Sequence, residues 1–309
     1  MRVAVVGGTG LVGSHLLPSL LSAGHEIRVV GRGERSATLP PGLLPTFGDV
    51  VSGEGLDQAF QSADAVVNLA AVIRPRGYQT FEAVNARGTA NVVAAAARAG
   101  VRRMVQFSAI GADPDPSFPY LFSKWEGEQA VAASSLEWVV VRSSVIFGEG
   151  RGFFNHLADA LSLPSPFLVI PGDGSAVFQP ISADDVARCL LLAVEEQPRA
   201  RHLYEIGGPE QPTLEEIVFA IAEAIGKERF GGSKRTALHL DPRLIRPVAM
   251  VMDRLLEDPL VTAQQLDMLA QPNITRLDAV RLDFGFEPRP MRGNLGYLKR
   301  PSRRPRRAA

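Results

Sequence analysis

The sequence predicts an α/β protein: a doubly wound parallel sheet followed by a small, interleaved C-terminal α+β domain. Three observations predict it. Short β-branched runs recur (VAVVG at 3–7, IRVVG at 27–31, AVVNLAA at 65–71, MVQFSA at 104–109 and WVVVRSS at 138–144), and they are apolar on nearly every residue. Strands buried on both faces read this way, whereas a half-exposed strand alternates. Helical stretches lie between the runs, such as SHLLPSLLSAG at 14–24 and GTANVVAAAARAG at 88–100. Strand–helix–strand alternation gives parallel strands with helices on both faces. The rhythm then breaks after about Phe147, where Gly and Pro become frequent (GEGRGFF, LPSP, IPGDG).

The second half is read element by element. FLVI (167–170) and AVFQPI (176–181) are expected to form a short strand pair. ADDVARCLLLAVEE reads as a helix with acids in its first turn, which suits the positive end of the helix dipole. HLYEIGG (202–208) reads as a further strand returning to the main sheet. PTLEEIVFAIAEAIG reads as an amphipathic helix with Thr213 as N-cap and Glu216 closing a capping box. The expected organisation is a dinucleotide-type domain over 1–147 joined by 184–208, a smaller domain over 148–183 and 209–298, and a disordered basic tail over 299–309.

Of the 33 basic residues, six lie in the last eleven positions (KRPSRRPRRAA), which hold no acid; the rest of the chain keeps 27 bases against 33 acids. A body this acidic argues against nucleic acid as the ligand. The tail is read first as a solubilising end, with a weak contact to an anionic membrane surface or an acidic partner as the alternative. A single cysteine, Cys189 in an apolar run, excludes an internal disulfide and a cysteine zinc site, and the five histidines lack metal spacing. No run is long and apolar enough to span a bilayer and no export signal is visible, so the expected location is cytoplasmic, peripheral at the inner membrane face if the tail binds there.

The strongest motif is VAVVGGTGLVGSHLL. Gly8-Thr9-Gly10-Leu11-Val12-Gly13 is a G-x-G-x-x-G turn at the end of a strand and the start of a helix, with Gly7, Gly10 and Gly13 also three apart. The glycines allow a tight turn, approach of the backbone to a pyrophosphate and close packing of helix on strand. The helix N-terminus adds free N–H groups and partial positive charge. Gly7, Thr9, Gly10, Leu11, Val12 and Gly13 are therefore the expected phosphate contacts. An NAD site usually places an acid at the end of the second strand; here Gly31 and Arg32 stand there and no acid comes before Glu34. Arg32 and Arg35 suit a 2′-phosphate. NADP(H) is the preferred cofactor, with NAD(H) as the alternative.

These motifs, followed in order by FGD (47–49), VVNLAA (66–71), FSAIG, YLFSK, IFGEG, PGDG, FQPISADDVA and YEIGGPE, resemble the extended short-chain dehydrogenase/reductase superfamily, the NAD-dependent epimerase/dehydratase family. Within it the chain is most similar to the atypical branch of the dehydrogenase-like accessory subunit of respiratory complex I and its bacterial relatives. The resemblance implies a Rossmann domain. It also implies that Asp49 contacts adenine with Val50 beside it, that Asn68, Leu69, Ala70 and Ala71 line the adenosine side, and that Asn85 sits on a helix behind the catalytic centre.

Tyr120 and Lys124 form Y-x-x-x-K, and i,i+4 spacing on a helix puts both side chains on one face. A phenol titrates near 10, so acid–base work near neutrality needs a shift of roughly three units, about 4 kcal/mol, toward which a neighbouring ammonium contributes. Lys124 also suits the ribose hydroxyls. Ser108, at the end of the fifth strand, or Ser117 is the candidate hydroxyl, because the position two residues after Ser108, where the resemblance places one, holds Ile110. Two functions follow. The first is an NAD(P)(H)-dependent oxidoreductase or epimerase/dehydratase-like enzyme, with Tyr120, Lys124 and Ser108 as its catalytic group and an unidentified small-molecule substrate. The second is a non-catalytic NADP(H)-binding subunit or sensor. No metal is expected.

Overall fold

The computed structural model describes residues 1–33, 39–195, 200–255, 266, 268, 271 and 273–299. In chain order, β1 (Arg2–Val6), α1 (Leu11–Ser22), β2 (Glu26–Gly31), β3 (Leu43–Phe47), α2 (Leu56–Phe60) and β4 (Ala65–Asn68) lead to a π-helical turn (Glu82–Ala86) running into α3 (Arg87–Arg98). Next come β5 (Arg103–Ala109), α4 (Pro119–Ala132), β6 (Glu137–Ser143), β7 (Ile146–Phe147), α5 (Phe153–Leu161), β8 (Phe167–Pro171) and β9 (Ile181–Ser182). The remainder holds α6 (Ala183–Glu195), β10 (His202–Ile206), α7 (Leu214–Ala224), β11 (Arg229–Phe230), β12 (Ser233–Lys234), β13 (Thr236–Leu240), α8 (Pro242–Leu255) and α9 (Ala279–Phe284).

Two compact units result. The first joins Met1–Ser143, Ala183–Ile206 and Ala279–Phe286. Its seven-stranded sheet runs β10-β6-β5-β4-β1-β2-β3, with every pairing parallel. Strand order reverses direction between β1 and β4, and ligands of such sheets sit at that switch, beyond the carboxyl ends of the strands. The apolar runs are buried as predicted: Val3, Ala4, Val5, Val66, Val67 and Val105 are each at most 1% exposed. One face packs on α2, α3 and α4 through Phe60, Val92 and Met104. On the other, α1 lies along α6, and a histidine–carboxylate pair joins them near each end, His15 Nδ1 to Asp184 at 2.6 Å and His25 Nε2 to Glu195 at 2.9 Å.

The second unit joins Ser144–Ser182, Gly207–Asp278 and the chain from Glu287 on. Phe154, Leu168, Ile170, Phe178, Ile217 and Met291 belong to its core. The capping box forms as read: Thr213 Oγ1 accepts from the Glu216 N–H at 3.2 Å, and the Thr213 N–H donates to Glu216 at 2.9 Å. The expected pair between FLVI and AVFQPI does not form. Instead β8 pairs in parallel with β13, more than sixty residues on, while Val177 and Phe178 make single bridges to Thr213 and Asn273. Neighbouring β-rich runs suggest a hairpin, but β8 takes its partner from a distant strand, and Phe178 joins Leu168 and Ile170 in one core through its side chain and not through a ladder. No helix among the described residues is long and apolar enough to cross a membrane. The predicted tail beyond Lys299 lies outside the described residues.

Candidate functional site

The glycine turn follows β1 directly. Gly7 has φ +76°, a left-handed conformation that favours glycine, and its N–H donates to Val30 O at 3.2 Å. A Cβ on Gly7 would stand 2.8 Å from Ala70 N, and one on Gly13 would collide with the backbone of Gly8, so both glycines are demanded by packing within the protein. Gly10 is different. As the N-cap of α1 it has φ −83°, open to any residue, and an added Cβ would meet only Gly7 O at 3.5 Å, an ordinary contact. Nothing in the fold requires glycine there.

A cleft of about 340 Å³ opens at this point. Its walls come from the ends of four strands and the loops after them: Gly7, Thr9 and Gly10 after β1, Arg32 after β2, Asp49 and Val50 after β3, and Leu69, Ala70 and Ala71 after β4. Nine of the predicted cofactor residues thus meet in one cleft. Val12 and Gly13 are buried under the turn, and Arg35 lies outside the described residues. One carboxylate oxygen of Asp49 accepts from Val51 N–H at 2.8 Å, which sets the turn after β3. Arg32 donates to Tyr78 Oη at 2.7 Å and to Gln79 Oε1 at 3.4 Å. These two residues occupy a tight hairpin closed by reciprocal bonds between Arg76 and Gln79, both at 3.0 Å, and Gln79 is itself a cleft wall. Sequence reasoning missed the hairpin; its one local signal is Gly77, which takes φ +55° at the tip.

Asn68 does not line the cleft. It is 1% exposed, and its Oδ1 accepts from Ala70 N–H at 3.2 Å, so it shapes the wall from behind. Asn85 does the same from the other side. Its amide exchanges two bonds with the Val72 backbone, at 2.9 and 3.0 Å, and donates to Ser123 Oγ of α4 at 3.1 Å. It sits in the π-helical turn, a feature common at functional sites. The α4 helix comes close here at Gly127, where an added Cβ would stand 2.5 Å from Asn85 O.

Tyr120 and Lys124 lie one turn apart on α4, and Ser108 is the penultimate residue of β5. None of the three is a wall of the cleft. Lys124 is 4% exposed, and its ammonium donates to Phe107 O at 2.7 Å. Burial pushes it down to about 8, against the upward pull of the Glu128 carboxylate. Glu128 is itself held by Arg142 through two bonds of 2.9 and 2.7 Å. Tyr120 is half-buried, its ring edge-on to Phe81 at 5.9 Å, and burial pushes its phenol up to about 12, opposite to the lowering expected from a neighbouring ammonium. Ser108 Oγ is buried with no hydrogen-bond partner among the described residues. Ile110, at the position where the resemblance places a hydroxyl, is 5% exposed. Among the described residues no group of His, Cys, Asp or Glu could hold a metal.

The model of the NAD dependent epimerase/dehydratase family matches residues 3–207. A Mycobacterium tuberculosis protein of unassigned function is 32% identical over 222 residues, 72% of this chain; the chain spans 23% of that relative's length. The 2-alkyl-3-oxoalkanoate reductase of Stenotrophomonas maltophilia is 27% identical over 93% of this chain and 95% of its own. Among solved structures, the NAD complex of a UDP-glucose 4-epimerase from Thermus thermophilus superposes with a TM-score of 0.60 at 23% identity, over 87% of this chain and 99% of that one, a likeness of fold.

Proposed function

Because the chain belongs to the NAD dependent epimerase/dehydratase family, we propose that it is a nicotinamide-dependent oxidoreductase, or an epimerase- or dehydratase-like enzyme, acting on a small molecule at a carbonyl or hydroxyl-bearing carbon. The observation that carries this reading is Lys124: an ammonium 4% exposed, fixed to a backbone carbonyl one helical turn from Tyr120. A charge so placed loses hydration for little structural return, and such groups gather where chemistry uses them.

In this reading the backbone from Gly7 to Val12 receives the pyrophosphate at the N-terminus of α1, with the open flank of Gly10 giving it room. Asp49, Val50 and the Leu69–Ala71 loop hold the adenosine. Arg32 reads a 2′-phosphate, which makes NADP(H) the preferred cofactor. When bound, the nicotinamide supplies hydride chemistry. The chain's own part is the proton. With its phenol near 12, Tyr120 is protonated at neutral pH and donates to the oxygen of a carbonyl being reduced. The Lys124 ammonium lowers the cost of the phenolate left behind and holds the ribose hydroxyls. The unpartnered Ser108 hydroxyl gives a further donor for the substrate oxygen. The relative named as a reductase of 2-alkyl-3-oxoalkanoates supports a ketone as the reacting group.

Ile110 favours a second reading, a protein that holds NADP(H) without turnover. Single-turnover oxidation of bound NADPH by a panel of aldehydes, ketones, quinones and sugar nucleotides separates the two. Oxidation that Tyr120→Phe abolishes fits the enzyme; tight binding with no oxidation by any member fits the carrier.

A further inference from the structure

Gln106 stands in the middle of β5 between Val105 and Phe107, register partner of Asn68 on β4, and is 2% exposed. Burying an amide in a sheet core is unfavourable unless all its groups are bonded. Here they are. Its Nε2 donates to Phe107 O at 3.0 Å, the same oxygen that holds the Lys124 ammonium at 2.7 Å. Its Oε1 accepts from Asn68 Nδ2 at 2.9 Å, and Asn68 Oδ1 in turn accepts from Ala70 N–H, on the cleft wall, at 3.2 Å. Only one setting of the two amides satisfies this chain. Because the Gln106 NH₂ must face Phe107 O, its oxygen must face Asn68; the Asn68 NH₂ must therefore face Gln106, and its oxygen is aimed at Ala70. A flip at either amide would set donor against donor.

We infer that Gln106 is a positioning residue that ties the wall of the nucleotide cleft to the carbonyl on which Lys124 is seated, although it is not itself a wall of the cleft. Its significance rests on the reading of the cleft as a nucleotide site. A merely structural amide would affect stability and leave both ends alone. The Val72 N–H supplies an internal control, because it belongs to the same loop yet is held by Asn85 and not by Asn68.

The test is Gln106→Met, close in volume and without polar groups, read first by amide hydrogen exchange in the cofactor-free chain. Loss of one oriented hydrogen bond is expected to speed exchange at Ala70 by about five-fold or more while Val72 keeps its wild-type rate. Equal rates at Ala70 in the two proteins, or equal acceleration at Ala70 and Val72, would overturn the inference. The second reading is NADPH affinity by fluorescence titration. Gln106→Met should weaken binding several-fold, but in an Asn68→Leu background it should weaken it no further, because the acceptor of the Ala70 N–H is then already gone. Losses that multiply in the double variant would show two independent effects. If wild-type protein binds neither NADPH nor NADH, the nucleotide reading fails, and the exchange result still decides whether Gln106 orients the loop.

Discussion

Gly13 lies against Gly8 so closely that a single methyl on Gly13 would overlap the Gly8 backbone, whereas Gly10, three residues earlier, has room for one. The glycines of one motif therefore answer to different demands. Gly13→Val should damage the packing of α1 on β1 and lower the melting temperature by several degrees or more. Gly10→Val should fold, losing only about 1 kcal/mol at the N-cap of α1, and yet lose NADPH affinity by at least ten-fold. A stable Gly10→Val chain with unchanged affinity would remove the cofactor from this turn.

The guanidinium of Arg32 is held at the cleft by Tyr78 and Gln79. NADPH is expected to bind more tightly than NADH, and Arg32→Ala to narrow the difference by about one to two decades, the worth of a charge-assisted bond of roughly 1.5–3 kcal/mol. The measurement is a pair of titrations on each protein. Equal affinity for the two cofactors in the wild type would leave Arg32 no part in the choice.

Removing the phenol oxygen alone, Tyr120→Phe should reduce turnover by several hundred-fold or more while cofactor affinity stays within a factor of about three. Lys124→Met should impair both. Full activity in the phenylalanine variant would move the proton donor elsewhere.

Burial also gives Lys124 a pH signature. Its ammonium, with a value lowered to about 8, is present below that pH and lost above it. Carbonyl reduction should hold level up to about pH 8 and fall beyond, and this alkaline limb should be missing from Lys124→Met. A flat profile to pH 10 in the wild type would separate the ammonium from the rate.

The same lowering makes a statement about stability. Between about 8 and the ordinary 10.5 the unfolded chain binds this proton more tightly than the folded one, so its contribution to stability rises with pH across that window. Below 8 the folded chain carries the full burden, on the order of 3 kcal/mol. Lys124→Met should accordingly raise the melting temperature of the cofactor-free protein at pH 7, by an amount that shrinks toward pH 10. A lower melting temperature at pH 7 would mean that the bonds to Phe107 outweigh the burial.

The glycine turn, the parallel strands and the placing of Tyr120 and Lys124 one turn apart on a helix could be read from the sequence because each is a local pattern: a spacing of three, a run of β-branched residues, an i,i+4 step. What could not be read depends on partners far along the chain. The strand that joins β8 lies beyond α7. Arg32 meets a hairpin forty-six residues later, in a stretch with no periodicity. The π-helical turn at Asn85 is invisible to a 3.6-residue pattern, since it alters the hydrogen bonding without changing which residues are apolar. Gln106 left one trace, a lone amide in RMVQFSA, which becomes meaningful only once β4 lies beside β5.

The route of the chain through its two units bears on biosynthesis. After Ser143 a nascent polypeptide has made six of the seven strands of the first unit, but α6, which lies along α1, and β10, which completes the sheet, are still to be translated. Phe284, whose ring meets Tyr204 of β10 at 5.2 Å, emerges later again. The glycine-turn helix thus waits on the ribosome with an uncovered flank until the first stretch of the other unit has been made, and a fragment ending at Ser143 would carry that exposed face permanently. Any attempt to produce the nucleotide half alone should splice 183–206 and 279–286 onto it; cutting the gene at a single point would leave the sheet without its last strand.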